Sequence, residues 1–99
     1  DLQQDAQEKA AMAVVAEVQA RVNLKFGQEL LAGKSCTVAQ GLAEALVTST
    51  TDLGGWTLTL GAKANSVYPI SSATPPGNNA TAVTLTNANI SIPDCTQVN

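Results

Sequence analysis

Apolar residues in the first third of the chain recur every three or four positions: Ala11, Val15, Val18, Val22, Phe26 and Leu30. That period puts them on one side of an α-helix. Residues 2–32 contain no proline and a single glycine, Gly27, so one continuous helix is predicted there. Asp5 with Lys9 and Glu17 with Arg21 place acid before base at i,i+4, the favourable order on a solvated helix face, and Gly33 is expected to end the helix. Such a helix is about 46 Å long, whereas a compact domain of 99 residues is only about 30–35 Å across. Part of it must overhang. Residues 1–9 carry only Leu2 and Ala6 as apolar side chains, so the overhang is expected at the start, as a solvated spine over residues 1–10.

After Gly33 the pattern shortens. Thr37 and Gln40 have capping-box spacing, predicting a second helix with Val38, Leu42, Ala45 and Leu46 on its buried side, ending near Thr48 where the hydroxyl-rich run 48–51 begins. Asp52, Leu53, Gly54 and Gly55 read as a turn. From Trp56 the period falls to two: Trp56, Leu58 and Leu60 alternate with threonines, as in a strand with one buried face. Residues 66–70 form a weaker expected strand, placed at an edge because Pro69 lacks a ladder donor. Residues 71–79, with Pro75, Pro76, Gly77, Asn78 and Asn79, are predicted as a loop. Residues 80–86 and 89–92 supply two further strands, the last ended by Pro93. Helices first and strands afterwards predict an α+β fold, with the long helix on one face of a small antiparallel sheet. The chain reads as one domain: a helical spine (1–33), a connection with a short helix (34–55), and an antiparallel sheet with the C-terminal segment (56–99).

Composition narrows the function classes. Only 13% of residues are charged, against roughly a quarter in typical domains, so the solvated surface rests on Thr, Ser, Asn and Gln. The net charge is −3 and no Lys/Arg cluster is present, which disfavours nucleic acid as a partner. With no histidine anywhere, the usual base for nucleophilic catalysis and the usual zinc ligand are missing, and neither an enzyme nor a cofactor site is expected. Cys36 and Cys95 lie outside any CxxC pairing; a bridge between them, implying an oxidising compartment, is favoured over two buried free thiols. Asp52, Asn78, Asn79 and Asp94 are oxygen-bearing loop residues, but their spacing is not that of an EF-hand, and no metal site is expected. Trp56, with Pro75, Pro76, Asn78 and Asn79, is the candidate recognition surface, weighed against plain packing of the indole. Asn79-Ala80-Thr81 and Asn89-Ile90-Ser91 are N-glycosylation sequons, meaningful in a secretory eukaryote. No stretch of membrane-spanning length is present, and the opening Asp1 leads us to expect a processed or truncated N-terminus.

A long amphipathic N-terminal helix, a short helical connection, a Thr/Asn-rich meander and a cysteine near the C-terminus together resemble the globular part of type IV pilins and pseudopilins. The run Gln40-Gly41-Leu42-Ala43-Glu44-Ala45-Leu46-Val47 is similar to a segment that follows the helix in major pseudopilins of type II secretion. The resemblance implies a structural subunit that self-associates into a helical filament, serving adhesion, motility, DNA uptake or secretion. It further implies pilus or secretion assembly machinery as partner, a bacterial cell-surface location, and a precursor anchored in the inner membrane by a hydrophobic helix segment upstream. A monomeric adhesion or glycan-binding module is the reading from a different class.

Overall fold

The computed structural model describes residues 1–49 and 51–97; Thr50 of the hydroxyl-rich run and residues 98 and 99 of the C-terminal segment lie outside them. Helix α1 spans Leu2–Leu31. Its first N–H groups are held by the Asp1 carboxylate, which accepts from Gln3 at 2.7 Å and Gln4 at 3.1 Å. At the other end Gly33, at φ 89°, donates to the Leu30 carbonyl and Lys34 donates to that of Glu29, both at 3.0 Å. This paired return is a Schellman motif, and its left-handed position is where glycine is needed.

Helix α2 (Cys36–Glu44) continues into a 3-10 helix, Ala45–Thr48. Two expectations fail here. The cap is Ser35, whose hydroxyl accepts from the Val38 N–H at 3.3 Å, and no Thr37–Gln40 box forms, because the Gln40 side chain donates instead to the Pro93 carbonyl at 2.8 Å. The buried face is also turned by one residue. Ala39, Ala43 and Val47 are buried, Val38, Leu42 and Ala45 are exposed, and Leu46 is half-buried. The side that wins carries the smaller residues because α2 packs against α1, where alanine permits close approach of the two backbones.

The sheet is antiparallel: β1 (Thr57–Leu60), β2 (Val67–Thr74), β3 (Val83–Thr84) and β4 (Asn89–Ser91). Strand β2 is central, not the edge strand predicted over residues 66–70, and it runs on through residues 71–74, which were expected in the loop. It pairs with β1 along one edge and with β3 and then β4 along the other. Residues 85–88 bulge between those two, with Asn87 at φ 57° and the Ile70 N–H donating to the Ala88 carbonyl across the gap. Pro69 is tolerated because its carbonyl, not an N–H, makes the contact with β1's continuation, accepting from Gly61 at 2.7 Å. Asn65 and Ser66, at φ 53° and 63°, form a tight two-residue turn between the mutually bonded Ala64 and Val67, as type I′ hairpins require.

One core joins the layers. Ala11, Val15, Val18 and Val22 of α1 meet Ile70, Ala73, Val83, Leu85, Ile90 and Ile92 of the sheet side, with Ala43, Val47 and Leu53 closing it. Phe26 and Leu30, predicted to be buried against the sheet with the rest of the stripe, are only half-buried, with Phe26 packed against the margin of the core. A disulfide joins Cys36 to Cys95, Cα atoms 5.7 Å apart, and fastens the C-terminal 3-10 helix Cys95–Gln97 to the start of α2.

Candidate functional site

The predicted recognition residues are brought together at one end of the sheet. Pairing of Thr57 with Thr74 sets Trp56 across from Pro75, and Gly55, at φ 87°, lies so close to Pro76 that a Cβ added there would fall 2.7 Å from the proline Cβ. Trp56 and Pro75 are half-buried, while Pro76, Asn78 and Asn79 are exposed. The indole packs against the hydrophobic core, so much of its area is committed to packing. Of the oxygen-bearing loop residues, Asp94 is engaged locally: its carboxylate accepts from the N–H and hydroxyl of Thr96 at 2.9 and 2.8 Å. These bonds hold its pKa below the usual value. Among the described residues no cluster of three or more His, Cys, Asp or Glu side chains is placed to hold a metal.

Three polar clusters fix α1 and α2 to the rest, and of their contacts sequence spacing revealed only the Glu17–Arg21 pair. Gln19 pairs with the main chain of Ser91 as a neighbouring strand would, accepting from its N–H at 2.7 Å and donating to its carbonyl at 2.9 Å. The outward main-chain groups of Ser91 on the free edge of β4 are thereby satisfied. Arg21 reaches the carbonyls of Thr51 and Asp52 at 2.5 and 2.6 Å and holds Glu17 at 3.3 Å, fixing the loop between α2 and β1. Glu44 accepts from both Lys63 and Tyr68 on one carboxylate oxygen, each at 2.6 Å. The Lys63 bond, then the Tyr68 bond, holds the Glu44 carboxyl below its usual pKa, and the same contacts raise Lys63 and Tyr68.

The outer face of α1 carries a second row of apolar residues with no partner among the described residues. Leu2, Ala6, Ala13, Ala20, Leu24 and Leu31 are all exposed, with Leu2 at 88%, Leu24 at 62% and Leu31 at 92%. At about 100° per residue these positions fall within one narrow arc, diametrically opposite Ala11, Val15, Val18 and Val22. Their spacings of four and seven make a heptad-like seam. The signal was present in the sequence, but the stronger inward stripe masked it. Every large hydrophobic side chain found exposed among the described residues lies on α1 or α2, and none on the sheet. No helix among the described residues is long and apolar enough to cross a membrane. Comparison with family models, with characterised proteins and with solved structures finds no match to this chain.

Proposed function

We propose that this chain is a structural subunit that assembles with copies of itself through its long helix, in the manner of a type IV pilin-like filament. The carrying observation is the second apolar face of α1. A helix that needed only to cover its own sheet would show solvated polar residues on the opposite side, whereas this one presents a seam of leucines and alanines there. A strip about 45 Å long and roughly 10 Å wide offers on the order of 450 Å² per copy, below the ~800 Å² per partner of a stable standard interface. Association of the domain alone is therefore weak and becomes strong only when repeated along an array. Bacterial surface location, an upstream anchoring segment and assembly machinery belong to the same reading, and a short pseudopilus of a secretion system uses the same geometry.

The test is sedimentation velocity at rising protein concentration. Concentration-dependent association is expected for the native chain, and it should be lost in the pair Ala13→Glu and Leu24→Glu, with an unchanged melting temperature because both positions are exposed. Strictly monomeric protein at millimolar concentration, or association indifferent to the pair, would overturn the reading.

A further inference from the structure

Helix α2 hides its smallest residues and shows larger ones. Ala39 and Ala43 are fully buried, while Val38 is 48% and Leu42 39% exposed, and Ala45 is exposed with them. At about 100° per residue these three share an arc of about 60°. No charged side chain stands among the exposed residues of the segment 36–48, because Glu44 is half-buried and held by Lys63 and Tyr68. Gly41 lies beside the strip in mid-helix, where glycine is destabilising relative to alanine. Neither usual reason for a glycine operates within the chain: its φ is not left-handed, and a Cβ built there meets no atom within 4 Å. The strip is also out of reach of its own chain's seam. Ala43 and Val47 share one core with Val15, Val18 and Val22, so α2 lies on the core side of α1, whereas the seam points the opposite way.

We propose that α2 docks on the α1 seam of a second copy, Val38 and Leu42 seating against the stretch from Ala13 to Leu24 and Gly41 admitting close approach of the two helices. A second copy is the occupant for two reasons. Strip and seam match in chemistry, both being uncharged rows of aliphatic side chains, and in length, about 13 Å for α2 against about 16 Å from Ala13 to Leu24. Ala13 and Ala20 leave hollows in the seam that the larger Val38 and Leu42 fill. A seam that paired only with itself would also close at two copies, whereas an open array needs two different surfaces on each copy. Every large hydrophobic side chain found exposed among the described residues lies on α1 or α2, so α2 supplies the second surface. The contact rests on the filament reading and names what the seam receives.

Mixing two variants in sedimentation velocity tests this contact. Val38→Glu with Leu42→Glu removes the strip and keeps the seam; Ala13→Glu with Leu24→Glu removes the seam and keeps the strip. All four positions are exposed, so both variants should melt at the native temperature. Each alone is expected to be monomeric where the native chain associates, and an equimolar mixture is expected to form a one-to-one complex that grows no further. Gly41→Gln, which places a better helix former in open space, should raise the melting temperature and yet weaken association; unchanged association would overturn the close approach. A strip variant that associates as the native chain does, or a mixture that stays monomeric, would overturn the docking of α2 while leaving the seam to be judged by its own variant. Native protein that does not associate would overturn both.

Discussion

Glu44 shows how much one side chain can organise in a weakly charged protein. Its carboxylate ties the end of α2 to the β1–β2 hairpin through Lys63 and Tyr68, and the Lys63 ammonium also lies 5.8 Å from the Tyr68 ring centroid. Because the folded Glu44 pKa is lowered from 4.5, its contribution is present above that value and is lost as pH falls through the folded pKa. Lys63 and Tyr68 are raised from 10.5 and 10.0; their contributions are present below those values and are lost as pH rises through the raised ones. Urea midpoints measured across pH should therefore fall at both extremes, and Glu44→Gln should flatten the alkaline limb and shrink the acid limb. Asp94, lowered from 3.8 by its bonds to Thr96, keeps part of the acid limb in the variant. An unchanged pH profile in Glu44→Gln would show that the cluster does not couple to folding. None of these partnerships was legible beforehand, since Glu44 and Lys63 are 19 residues apart and Gln19 and Ser91 are 72 apart, and no local period links them.

At the scale of the element, α1 is a divided helix. Residues 1–10 are all exposed, whereas Ala11, Val15, Val18 and Val22 are at most 3% exposed. Backbone hydrogen bonds that are not covered by packing open locally at low cost, and buried ones open only with the domain. Amide exchange should accordingly be fast through residue 10, slowest from 11 to 22, and intermediate near Phe26 and Leu30, which are half-buried. Uniform protection from the first turn onward would refute this division. The helix and its inward stripe were legible because periodicity reports directly on which side is buried. The turned face of α2 was not, because Val38 and Leu42 are the better hydrophobes and only the proximity of α1 makes Ala39 and Ala43 the better fit. The central position of β2 was likewise hidden: Pro69 signals an edge only if its missing N–H is the group facing a neighbour, and here its carbonyl does the pairing.

At the scale of the whole molecule, the Cys36–Cys95 disulfide closes a loop with a sequence separation of 59. Restricting the unfolded chain over that span is worth about 4 kcal/mol on a loop-entropy argument. Thiol labelling of unreduced, denatured protein should find no free cysteine, and reduction, or Cys36→Ala with Cys95→Ala, should lower the urea midpoint by an amount matching that energy. An unchanged midpoint would mean that the C-terminal segment is held without the bridge, by Gln40 on the Pro93 carbonyl and the burial of Ile92. The sequence alone determined the α+β order, the long helix and its inward stripe, the solvated start of α1, and the two cysteines as candidate partners, because each is written in local period, composition or residue inventory. Only the tertiary structure decided which strand is central, which side of α2 faces α1, and how Gln19 and Arg21 fasten the helix to distant main chain. Those outcomes depend on long-range packing and on backbone groups finding partners, and neither has a signature within any short window of sequence.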